Sequence, residues 1–232
     1  HGREHSFPTR RSSDLQSGVI TTGGSATFTT GGYSILLNNA SNAVGGSVSL
    51  NNTGANAVSW QESGAVSLAA SSVGGDLTVT SGGAMTQSGA LIVGGNASFV
   101  TGGFAITLTH ASNAVAGDAS FANTGANAVS WNELAAVSLG TSTVGGAFSV
   151  TAGGAITQTG AQTVGGTSSF TTGASNITLD SFSNNFTGAV SLSNSGGSAT
   201  TDLWAGSNLV LGTLNVAGGA LMVKMSGGAS IT

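Results

Sequence analysis

Along most of the chain, apolar and hydroxyl side chains alternate in short runs between pairs of glycines. A Val-Gly-Gly motif, or a relative of it, starts at Thr22, Val44, Val73, Val93, Val115, Val144, Val164, Phe186 and Val216. The successive spacings are 22, 29, 20, 22, 29, 20, 22 and 30 positions. Six positions beyond each start the side chain is apolar: Phe28, Leu50, Val79, Phe99, Phe121, Val150, Phe170, Leu192 and Met222. Five positions beyond it is Ser or Thr, with Leu221 as the exception. A period of two predicts a strand with one buried face. The glycine pairs mark corners, where positive φ is expected. A second strand follows each motif, as in Ala57 to Trp60 or Ala84 to Gln87. The longest units add a third, as in Ala65 to Leu68 and Ala136 to Leu139.

These units belong to a larger repeat. Val44 to Ala114 set over Val115 to Asn185 gives 42 identities in 71 positions without a gap. Two or three short strands per unit, repeated in one register, predict an all-β chain wound as a single-stranded parallel β-helix, a solenoid. A helical assignment fails because Gly, Ser, Thr, Asn and Val are poor helix formers. A β-sandwich would not need the same register nine times over. The expected stack has about eight full rungs of 20–30 residues, roughly 38 Å long at about 4.8 Å per rung. Copies 71 positions apart would then sit three rungs, or about 14 Å, apart.

Composition changes the picture in two ways. Of 232 residues, 39 are Gly, 5% are charged, none is Cys, and the formal net charge is −4. Solubility must therefore come from outward rows of Ser, Thr and Asn, and no basic surface is present to attract nucleic acid. The first residues are also unlike the rest. His5 to Leu15 resemble a translated sequencing adapter, so residues 1–15 are expected to be non-natural. They hold Arg3, Arg10, Arg11 and Pro8. The repeat domain is expected at 16–232, cut at both ends, with open strand edges that invite end-to-end self-association.

The inventory of reactive groups is thin. Glu62 and Glu133 recur one long repeat apart, too far for the carboxylate pair of a glycosidase, which needs at most about 9.5 Å. Asp76 and Asp118 follow corner glycines and are expected to bond their own turns. Lys224 stands alone. His110 has no second ligand nearby, and the serines have no histidine base. No catalytic residue, cofactor or metal site is expected, and the chain is read as no enzyme. Trp60 and Trp131 occupy equivalent places, with Trp204 shifted by two. The alternation at Val58, Ser59 and Trp60 puts the indole on the valine side, which is the core. Pointing outward instead, Trp60 and Trp131 would be candidates for stacking on glycan rings. Tyr33 and Phe104, each after a glycine pair, are open to both readings.

Runs such as Val73 to Ala90 (VGGDLTVTSGGAMTQSGA) and Asn185 to Leu192 (NFTGAVSL) resemble the repeat shafts of filamentous-haemagglutinin-like bacterial exoproteins. The resemblance covers Gln16 to Thr232. It implies a right-handed β-helical filament, secretion to the cell surface through an outer-membrane partner, and a role in adhesion or biofilm. The function expected is a rigid spacer. Host-cell or matrix glycans or proteins would be met by other parts of the parent protein. A carbohydrate-binding β-helix surface, or a polysaccharide-degrading β-helix, are the alternatives.

Overall fold

The computed structural model describes residues 14–232, and their side chains from Gln16 on. Among the described residues no helix forms, and every named strand pairing is parallel. The chain is a β-solenoid of about ten turns. It has two long sides: a 14-stranded sheet, here sheet I, and a 13-stranded sheet, sheet II; a two-stranded ladder, Thr21–Thr22 with Ala43–Val44, completes it. At about 4.8 Å per turn the stack is roughly 48 Å long.

Each turn crosses from one sheet to the other and back. One side is a straight strand of five or six residues, such as Ser47–Asn52 in sheet II. The other is often bent into two short strands. Val66–Leu68 and Ser71–Val73 both stack on Ser47–Asn52, with Ala69 and Ala70 forming the bend between them. The bend breaks the backbone ladder, and a hydroxyl repairs it. Ser71 Oγ accepts the Leu50 N–H at 3.1 Å, and Ser142 Oγ accepts that of Phe121 at 3.2 Å.

The turn is shorter and more even than expected. Leu77 pairs with Val58, 19 positions back, and Thr201 with Ile177, 24 positions back; the other pairings fall between. The expectation of eight rungs, each 20–30 positions long, is therefore corrected to about ten turns of 19–24 positions. The glycine-pair motif does not mark one rung. It marks the corner before a straight strand in either sheet. The shorter motif intervals, 20 and 22 positions, return to the same sheet after one turn, whereas the longer ones, 29 and 30, cross to the other after one and a half. The 71-residue repeat joins two of the shorter intervals to one of the longer and so makes three and a half turns. Its copies lie on opposite sides of the solenoid, about 17 Å apart along the axis.

The core follows the alternation. Trp60, Val79, Phe99 and Phe121 pile up on sheet I, and Trp131, Val150, Phe170 and Leu192 on sheet II; all are buried. The two columns meet across the interior, with tilted rings: Phe99 and Trp131 centroids lie 5.5 Å apart, and Phe121 and Phe148 5.6 Å apart. Met222 is the exception among the nine expected core positions. In Leu221–Met225 the inward positions are Val223 and Met225, so Met222 faces out.

Glycine also works differently from expectation. Among the described residues only Gly218 and Gly228 have positive φ. Many of the other corner glycines are needed because successive corners touch. A Cβ on Gly74 would sit 2.6 Å from Gly54 O, and one on Gly94 2.5 Å from Gly74 O, closer than real atoms approach.

Ladder pairing begins inside the segment set aside as non-natural: Asp14–Leu15 pairs with Ile35 and Leu36. The rest of the adapter-like segment, His5 to Ser13, lies outside the described residues.

Candidate functional site

The two candidate stacking tryptophans do not reach solvent. Trp60 and Trp131 are 0% exposed, because each follows the inward phase of its strand, Val58–Glu62 or Val129–Glu133. The glycan-stacking role for Trp60 and Trp131 is therefore corrected to core packing. Trp204 takes a different place. Leu203, not Trp204, pairs with Leu179, as Trp131 pairs with Leu108 and Trp60 with Leu37. One extra residue before Thr201 moves the indole to the outward position held by Gln61 and Asn132. There it lies between the Phe182 ring, 4.9 Å away, and the Lys224 ammonium, 4.3 Å above its centroid.

Glu62 and Glu133 close the ends of short ladders. The strand Ala43–Val44 has no strand on its far edge, and neither does Ala114–Val115. In place of a neighbour, Glu62 Oε1 accepts the Val44 N–H at 2.6 Å and Glu133 Oε1 accepts that of Val115 at 2.8 Å. A side chain thus does the work of a missing strand. The second oxygens differ. Trp60 Nε1 donates to Glu62 Oε2 at 3.2 Å, whereas Glu133 Oε2 and Trp131 Nε1 are both buried without a partner. Burial pushes the Glu133 carboxyl up to about 7, against the opposing pull of the Val115 N–H and the neighbouring indole. Above each acid lies a shallow dimple, about 480 Å³ at Glu62 and 460 Å³ at Glu133. Because the acids sit three and a half turns apart on opposite sides, they act on no common substrate.

Three buried asparagines, Asn42, Asn113 and Asn184, each form a closed set of hydrogen bonds inside the stack. Asn113 Nδ2 donates to Gln87 Oε1 (3.0 Å), Leu108 O (3.2 Å) and Asn132 O (3.2 Å), and its Oδ1 accepts from Gln87 Nε2 (2.8 Å) and Leu91 N (3.0 Å). Asn184 with Gln158, and Asn42 with Gln16, repeat the arrangement. The amides recur with the period of the long repeat, Asn42, Asn113 and Asn184 in one row and Gln16, Gln87 and Gln158 in another, which was the signal the sequence offered.

The remaining groups hold the stack together. Asp76 Oδ1 accepts Asn96 N at 2.7 Å, and Asp118 takes the Ser138 and Thr159 hydroxyls at 2.6 Å each. Both acids therefore tie one turn to later ones, a correction to the expectation that they bond their own turns. His110 is half-buried, and its Nδ1 accepts Ser112 N at 3.2 Å. Among the described residues no three His, Asp or Glu side chains converge as a metal site would require.

No curated protein and no solved structure matches the chain. A family of repeats does, over residues 13–51, 55–122 and 126–193. The second and third stretches start at 55 and 126, offset by the same three-and-a-half-turn repeat described above. With three quarters of its length matched in that register, the chain belongs to the family of repeats of unknown function (DUF5649).

Proposed function

We propose that this chain is a stretch of structural shaft, a stiff spacer of a large bacterial surface or secreted adhesin, with no catalytic role of its own. The observation that supports this reading most is the unbroken core. From Ile35 to Leu209 one cluster of buried side chains runs the length of the stack, and the dimples at its surface are shallow. Stiffness follows from backbone ladders parallel to the axis and from side chains shared by successive turns. The resemblance to filamentous-haemagglutinin-like shafts supports the adhesin setting, export through an outer-membrane partner, and a role in adhesion or biofilm.

The mechanical part is tested by small-angle X-ray scattering on chains carrying one, two and three added 71-residue repeats. A shaft lengthens by about 17 Å per repeat at constant cross-section; growth in all dimensions would refute it. The setting is tested in the source bacterium by labelling intact cells with antibody to residues 44–185. Surface signal is expected, and signal only after lysis would overturn the placement. A screen of neutral and acidic polysaccharides that yields product would instead establish the enzyme alternative.

A further inference from the structure

Burial of Trp60 and Trp131 leaves the question of whether any aromatic side chain stands free, and two do. Tyr33 is 55% exposed and Phe104 48%, and neither ring pairs with another aromatic among the described residues. They are copies of one position in successive long repeats. Tyr33 stands where the chain passes from sheet II to sheet I, and Phe104 where it passes from sheet I to sheet II. They therefore project from opposite edges of the solenoid.

The backbone beneath each ring is fixed in the same way. Thr30 Oγ1 donates to Tyr33 O at 2.7 Å and Asn52 Nδ2 to the same oxygen at 3.2 Å; Thr101 Oγ1 and Asn123 Nδ2 hold Phe104 O at 2.6 and 2.7 Å. Asn56 and Asn127 clamp the preceding carbonyls, Gly32 O and Gly103 O, at 2.5 Å each. The two residues before each ring, Gly31 and Gly32 or Gly102 and Gly103, carry no side chain that could cover it. Trp204 has no such freedom, with Phe182 and Lys224 against it.

The surroundings select the ligand. Asp14 pairs with Ile35 in the turn before Tyr33, but beyond it no charged residue occurs up to Gln61, and around Phe104 the segment Gly102 to Gly117 has no titratable side chain but His110. A flat apolar ring held rigidly among hydroxyl and amide groups suits a ligand with an apolar face and uncharged hydroxyl edges. We propose that Tyr33 and Phe104 are two equivalent stacking platforms for the pyranose rings of neutral glycans, displayed on opposite edges so that one shaft joins two glycan strands. This goes beyond the spacer role, which would stand without it.

The third repeat provides a natural control. Thr172 Oγ1 donates to Ser175 O at 2.7 Å, so the threonine bond of this corner forms with Ser175 where the aromatic would be, while Asn194 Nδ2 turns to Thr201 Oγ1 instead. Tyr33→Ser and Phe104→Ser therefore copy a side chain this corner already accepts. The experiment titrates the whole chain with cellohexaose, maltohexaose, chitohexaose and, as an anionic control, a hyaluronan hexasaccharide, followed by NMR. Shifts at Tyr33 and Phe104 with two sites per chain are expected for at least one neutral sugar. Each single variant should lose one site, and the double variant should bind at least about tenfold more weakly with its solenoid spectrum intact. No binding to any neutral hexasaccharide, binding unchanged in the double variant, or preference for the anionic sugar would each overturn the proposal.

Discussion

Glu133 Oε1 accepts the backbone N–H of Val115 at 2.8 Å, so a carboxyl group takes the place of the strand that sheet II lacks at that edge. Glu62 does the same for Val44 on the opposite side, three and a half turns earlier. The device recurs because the bent side of the turn ends wherever the repeat crosses between sheets.

Glu133 makes stability depend on pH. Its carboxyl is raised from 4.5 to about 7 in the fold, so the folded chain holds this proton more tightly than the unfolded one. Its contribution is greatest below about 4.5, falls as pH rises toward 7, and is constant above that. With the dimple open to water, about 1–2 kcal/mol is expected over this window. Glu133→Gln keeps an acceptor for Val115 but cannot ionise. Urea unfolding at several pH values should show native and variant chains diverging between pH 4.5 and about 7; a constant difference would refute the assignment.

Two glycine substitutions of the same chemistry should behave oppositely. In Gly94→Ala the new Cβ meets Gly74 O at 2.5 Å, backbone that cannot move without parting two turns. A loss of about 1–3 kcal/mol is expected. Gly64→Ala meets nothing within 4 Å and should be neutral or slightly stabilising. Thermal melts of the two variants decide this, and equal losses would show that conformational freedom, not contact, is the reason for glycine.

Trp131→Ala removes an indole that Phe99 and Phe121 contact at centroid distances of 5.5 and 5.6 Å. The cavity should cost about 3–5 kcal/mol. Glycan titration of the same variant should match the native chain, because the indole never reaches solvent. A small loss of stability would mean that the turns close over the gap.

Asn113→Ala leaves Leu91 N, two carbonyls and the Gln87 amide without their partner. About 2–4 kcal/mol is expected from buried groups left unpaired. Gln87→Ala alone should cost less, and a double-mutant cycle should show strong coupling. Additive losses would mean that the two amides act independently.

Much of this was legible along the chain. Phe99, Phe121 and Val150 were expected inside from a period of two, and they are inside, because a strand has only two faces and one of them is covered. Trp60 shared the phase of Val58 and went with it. The chemistry of closure was harder to see. Gln87 meets an asparagine, Asn113, that lies 26 positions further on, and no local pattern states how much chain makes one turn.

Local patterning was enough to specify an all-β stack, its long repeat and its inward positions, because alternation and glycine spacing act between near neighbours. Only the stacking of whole turns set the repeat at three and a half of them. A bent side and a straight side pack on each other, so equal repeats fall on opposite faces. That half turn separates Glu62 from Glu133, buries both indoles in facing columns, and leaves Tyr33 and Phe104 as exposed rings on opposite edges.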